Sequence, residues 1–187
     1  MFLLYRSTLA TLVASALALA CTDGSTGTAG SGLGGSGGHD HGGHGEEDPS
    51  AAEACGHLEN GPIVPVATAV DPLAAPPIAA DHVRYDLALV DLGDGNFGGA
   101  VSFEAPAAGD YVLFLDTNVG VVVEGPGGAL VVVHDTHVGS AHCPTTIAVS
   151  HRIPMTAGRH TLDFGPDDVS SVRLVLEPSQ AGPPGSP

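Results

Sequence analysis

Ten histidines and three cysteines carry most of the metal-capable chemistry of this chain. His39, His41 and His44 stand in the glycine-rich run GGHDHGGHGEED, with Asp40 and Glu46 beside them. Imidazole nitrogens and carboxylate oxygens suit zinc, nickel or copper. The run therefore reads either as an arm that wraps a metal ion or as a spacer with incidental histidines. Binding there has to order a glycine chain, so the expected affinity is modest. A second concentration, HDTHVGSAHC, sets His134, His137 and His142 ahead of Cys143, and Cys55-Gly-His57 repeats the pairing of thiol and imidazole upstream.

Cys55 and Cys143 admit two readings that exclude each other. In an exported protein such a pair forms a disulfide, stabilising by roughly 4–5 kcal/mol on the chain-entropy argument. It would pin the EACGHLENGP segment onto the rest of the fold. As free thiolates, the same residues would join the nearby histidines as zinc or copper ligands. The order Cys143, His151, Met155 follows that of cupredoxin copper ligands, but the gap from Cys143 to His151 is too long for that family's single ligand loop. His151 shares strand parity with Ile147 and Val149, and His160 with Leu162 and Phe164, which marks both as packed rings. The two could also lie diagonally across one hairpin. Asp91, Asp94 and Asn96 lack the spacing of an EF-hand and suit a hairpin loop. No nucleophile elbow, zinc-protease helix, phosphate loop or dinucleotide fingerprint occurs, so no enzyme is expected.

The N-terminus, MFLLYRSTLATLVASALALACTDG, has a single Arg6, then an apolar run from Ser7 to Ala20 that is too short to span a membrane. That is the anatomy of an export signal. Leu17-Ala18-Leu19-Ala20-Cys21 resembles the lipobox of bacterial lipoproteins. The resemblance implies that Cys21 is acylated and becomes the mature N-terminus. Thr22 after it resembles the pattern of outer-membrane sorting. The expected location is therefore the cell envelope, the outer membrane where the cell has one, with the membrane as partner through the lipid on Cys21.

Charge narrows the partners. Five arginines and no lysine face 21 acidic residues, for a formal net charge of −16. Nucleic-acid binding needs clustered cations, so it is excluded, as is polybasic attraction to anionic lipid. The acidic surface keeps the chain soluble and concentrates cations around it. A metal ion or an envelope protein remains as partner.

These residues must be held by elements. Residues 1–20 read as signal peptide, 21–51 as a disordered Gly/Ser/His-rich tether, 52–178 as the folded domain and 179–187 as a disordered tail. The tether and tail have too little apolar surface to offset the entropy of ordering them. Within the domain, HVRYDLALV and GAVSFEA alternate with period two, while DYVLFLD, VGVVVE and ALVVVH are continuous apolar runs suited to interior strands. TTIAVSHRI, RHTLDF and SVRLVLE complete about eight strands, and no stretch holds helical periodicity for three turns. Glycine, asparagine and proline clusters stand between them. The expected fold is all-β, an antiparallel β-sandwich or jelly roll.

FEAPAAGDYVLFL and IPMTAGRHTLDF echo one another: an apolar start, Ala-Gly, a polar residue, a ring, then alternating apolar positions. The echo resembles the strand–turn–strand units of small extracytoplasmic β-sandwich modules such as pre-peptidase C-terminal domains, which implies architecture and no catalytic residue. Together these readings give a non-enzymatic envelope lipoprotein that binds or buffers a divalent transition metal, zinc or copper. The other reading is a structural or interaction module stapled by Cys55 and Cys143.

Overall fold

A computed structural model describes residues 47–180 of the chain. The segment expected as signal peptide, Cys21, the histidines His39, His41 and His44 of the expected tether, and residues 181–187 lie outside the described residues. One helix, α1 (Ala51–Asn60), precedes twelve strands. These are β1 (Ile63–Ala67), β2 (Pro77–Ile78), β3 (Arg84–Ala88), β4 (Val90–Gly93), β5 (Asn96–Ala105), β6 (Gly109–Leu115), β7 (Val121–Glu124), β8 (Leu130–Val131), β9 (Asp135–Val138), β10 (Val149–Met155), β11 (Gly158–Asp167) and β12 (Ser171–Pro178). The all-β sandwich is as the sequence predicts, with twelve strands in place of about eight. The strands not read from the sequence are β1, β2, β4 and β9, of five residues or fewer, near or below the shortest run in which alternation is readable. ALVVVH, expected as an interior strand, supplies only the two-residue edge strand β8. No helix among the described residues is long and apolar enough to cross a membrane.

Two sheets face each other. The first runs β1-β3-β12-β6-β10-β9; the second runs β2-β5-β11-β7-β8, with β4 also paired to β5. They are mixed and not purely antiparallel, because β1 lies parallel to β3 and β2 parallel to β5. Between the sheets pack the inward residues of every long strand, among them Leu87, Phe103, Leu113, Ile153, Leu162 and Leu174.

A second apolar layer covers the other face of the first sheet. There Ala51, Ala54, Cys55 and Leu58 of α1 meet Val112, Phe114 and Val175, together with Cys143 and Ile147. This explains the continuous apolar runs of β6 and β12: Leu113 and Leu174 point into the sandwich, while Phe114 and Val175 point up under the helix. A strand buried on both faces loses its alternation. Positions 51, 54, 55 and 58 are spaced as one helical face. Three of them are small, so the helix escapes a reading keyed to bulky residues.

The folded unit also starts earlier and ends later than the apolar pattern places it. Asp48, assigned by composition to the tether, is buried. Its carboxylate accepts hydrogen bonds from Ser50 N (3.0 Å), Ser50 Oγ (2.6 Å), Arg152 Nη2 (3.0 Å) and Ser179 Oγ (2.5 Å). Polar ends held by one buried carboxylate leave no hydrophobic trace in the sequence.

The echo segments become crossing corners. β5 passes to β6 and β10 to β11, each pair stepping from one sheet to the other, and the two units pair with each other as β5 with β11 and β6 with β10.

Candidate metal centre

Cys55 and Cys143 are joined by a disulfide with Cα atoms 6.0 Å apart. That removes both thiols as metal ligands and the cupredoxin arrangement with them. The bond ties α1 to the loop ahead of β10, and it sits between Glu53 and His57 in sequence. Residues 53 and 57 are four apart on a helix and so share one face, turned away from the buried side that carries Cys55.

Glu53 and His57 meet His82 and Glu177 there. His57 Nε2 lies 3.7 Å from Glu53 Oε1 and 4.0 Å from Glu177 Oε1. His82 Nδ1 lies 3.3 Å from Glu53 Oε1 and 3.0 Å from Glu177 Oε2. The ligand atoms of Glu53, His57 and His82 all fall within 4.8 Å of one another, the one such group of three or more His, Cys, Asp or Glu among the described residues. The two imidazole rings are 5.4 Å apart, centroid to centroid.

Each member is placed by its surroundings. At the end of α1, Arg84 Nη1 donates to the Leu58 carbonyl at 3.0 Å while its other nitrogens grip Asp86. Gly61 N–H donates to the His57 carbonyl at 2.9 Å, and a Cβ on residue 61 would lie 2.6 Å from that oxygen, so glycine is required for this exit. His82 sits just ahead of β3 with φ +61°, the left-handed region disfavoured for non-glycine residues. The loop before it is pinned through Tyr85, whose hydroxyl accepts from Ala79 N at 2.9 Å and donates to Asp81 Oδ1 at 3.0 Å. Glu177 shares the outward parity of Val175 on β12, and the helix covers it.

Exposure differs sharply across the cluster. The Glu177 side chain is 2 % exposed, against 23 % for His57, 44 % for Glu53 and 54 % for His82. Burial pushes the Glu177 carboxyl above its usual range and the neighbouring Glu53 adds to that, while His82 and His57 oppose it. His57 Nε2 is buried and has no hydrogen-bond partner. The Nε2 atoms of His151 and His160 are likewise buried without a hydrogen bond, but of the three only that of His57 faces a second imidazole and a carboxylate in a set that could hold a metal ion.

The other histidines are placed differently. His134 is exposed between β8 and β9, His137 is half-buried on β9 opposite Ser150, and His142 is exposed in the loop before Cys143. Among the described residues these three do not converge on a common point. A connection between strands, a mid-strand position and a loop hold the three side chains apart. His151 and His160 stand on strands of different sheets, so no hairpin joins them. His160 is wholly buried, with Nδ1 3.0 Å from the Gly158 carbonyl. His151 Nδ1 meets Thr136 Oγ1 at 3.1 Å, and burial holds its imidazole below the ordinary range.

Sequence reading noticed His57 beside Cys55 but attached it to a thiolate site, and passed over His82 and Glu177. The available signal was Glu53 and His57 at helical spacing ahead of a cysteine. No protein-family profile matches the chain, and no curated protein matches it.

Proposed function

We propose that the protein is a non-enzymatic metal-binding module of the cell envelope that holds one divalent transition metal ion, zinc or copper, through Glu53, His57 and His82. The observation that carries this reading is the convergence of two imidazoles and a carboxylate within 4.8 Å, with the buried His57 Nε2 making no hydrogen bond. Nitrogen and carboxylate donors suit zinc and copper(II) better than calcium or magnesium, which take all-oxygen shells. Export and a lipid on Cys21, supported by the lipobox-like ALALAC, put the module at a membrane surface, the outer membrane where there is one. The glycine-rich segment then serves as its tether.

The competing reading, an envelope module without metal, takes the same four side chains as ordinary ion pairs, which their contacts of 3.0–4.0 Å allow. Isothermal titration with zinc and with copper(II) separates the two. It is run on the full chain with Cys21→Ser and with His39, His41 and His44 changed to Ser. One ion per chain, lost in His57→Ala, supports the metal reading. Binding that disappears with the three tether histidines and is indifferent to His57 gives the metal to the arm. No binding in either chain leaves the structural module.

A further inference from the structure

We propose that Glu177 is the fourth ligand of this centre, closing a shell of two imidazoles and two carboxylates that takes zinc as a four-coordinate ion. The inference rests on the metal reading above and goes beyond its three residues.

Geometry comes first. Nitrogen and oxygen donors lie about 2.0–2.2 Å from a tetrahedral zinc ion, which sets donor–donor edges of about 3.3–3.6 Å. Taking one oxygen from each carboxylate, the edges are 3.2 Å for Glu177 Oε1 to His82 Nδ1, 3.3 Å for Glu53 Oε1 to His82 Nδ1, 3.7 Å for Glu53 Oε1 to His57 Nε2 and 4.0 Å for Glu177 Oε1 to His57 Nε2. They straddle the tetrahedral edge, the Glu177–His57 edge being the longest and the one that must close most on an ion.

Burial comes second. A carboxylate only 2 % exposed must be neutralised, hydrogen-bonded or bound to a metal. His82 Nδ1 lies within hydrogen-bonding distance of both Glu177 oxygens, 3.2 Å from Oε1 and 3.0 Å from Oε2, and Glu53 and His57 are its other ionisable neighbours. No arginine is among them, and the second carboxylate adds repulsion. A dication at the centre would satisfy both acids at once, which two imidazoles cannot do while remaining neutral ligands.

The chemistry of the shell is third. With Cys55 and Cys143 bonded to each other, no sulfur is offered, so copper(I), which prefers thiolate and thioether, is disfavoured against zinc(II). Four protein donors leave no open position for water or substrate, the mark of a structural or storage centre and not a reaction centre. The donors come from α1, the segment before β3, and β12. An ion held by all three cross-links helix to sheet beside the disulfide.

Cobalt(II) substitution tests this, because a four-coordinate cobalt site absorbs strongly in the visible and a five- or six-coordinate site weakly. The protein is the full chain with Cys21→Ser and the three tether histidines replaced by Ser. It is expected to show the intense four-coordinate spectrum, with zinc displacing cobalt. Glu177→Gln is expected to lose that intensity and to bind zinc at least about tenfold more weakly. Its melting temperature in chelator should be no lower than that of the parent, since it removes a buried charge. If Glu177→Gln does not fold, Glu177→Asp keeps the charge but retracts it, and the same spectral loss is expected. Unchanged affinity and spectrum in the Glu177 variants, with binding lost in His57→Ala and His82→Ala, overturns the fourth ligand and leaves the three-residue site standing. Absence of cobalt and zinc binding in the parent overturns the underlying metal reading instead.

Discussion

His82 keeps its ring in the cluster at the expense of a left-handed backbone, a conformation that asparagine tolerates well. His82→Asn should therefore hold metal-free stability within about 0.5 kcal/mol of the parent while weakening zinc binding, read by urea denaturation and calorimetry on the same samples. Two other residues set the response to acid. Burial depresses the His151 imidazole below its ordinary 6.5. The folded state thus binds fewer protons than the unfolded chain, and stability falls as pH drops below that value. Asp48 is affected first by burial, which raises its pKa, but hydrogen bonds from Ser179, Ser50 and Gln180 prevail and hold it below 3.8. Its contribution is fully present above the unfolded value and is lost as pH falls through the depressed one. Urea midpoints across pH should show two separate declines. His151→Gln should flatten the one that begins near neutrality, and Asp48→Asn the one at low pH. A midpoint that stays level down to pH 4 would refute the first.

At the scale of elements, α1 decides whether the cluster exists, since it supplies Glu53 and His57 and roofs Glu177. Leu58 is its one large buried side chain. Leu58→Ala should cost roughly 2–5 kcal/mol in thermal or urea unfolding and should weaken metal binding as well, although residue 58 is no ligand. The strands were legible from alternation in HVRYDLALV and GAVSFEA and from the turn residues between them. The helix was not, because Ala51, Ala54 and Cys55 bury little area each and their anchor is covalent. Glu177 was illegible for the same reason: alone in SVRLVLE it reads as the exposed end of a strand, and only a helix from the far end of the domain buries it. His57 and His82 each stand isolated in the chain, whereas His134, His137 and His142 crowd together. Density along the sequence pointed to residues that three separate local geometries then spread apart.

The molecule as a whole is built about its crossing corners. The echoed segments, recognised in the sequence as a repeat, supply β5, β6, β10 and β11, which pair with each other as interior strands, one pair in each sheet. The repeat was therefore a statement about topology, although read along the chain it suggested hairpins. Onto this frame the N-terminal segment is fixed three times: by Asp48, by the disulfide and by the apolar seam of α1. Replacing both Cys55 and Cys143 with Ser should lower stability by roughly 4–5 kcal/mol, measured by urea denaturation against the oxidised parent. A loss near zero would mean that the other two fixings already hold the segment.

The disulfide also divides the chain mechanically. It joins positions 88 residues apart, so a pull applied at the N-terminal side enters at Cys55, crosses the sulfur bridge and continues from Cys143 toward the C-terminus. Most of the strands lie in the bypassed length and bear no tension. Were the chain anchored through Cys21 as proposed, a pull from that side could strip at most the segments flanking the bridge, and the loop between the cysteines could not be drawn out. Stretching single molecules from their two ends should show this as a contour length shorter by roughly 300 Å, at about 3.3–3.6 Å per residue, than after a dithiol reductant has opened the bridge.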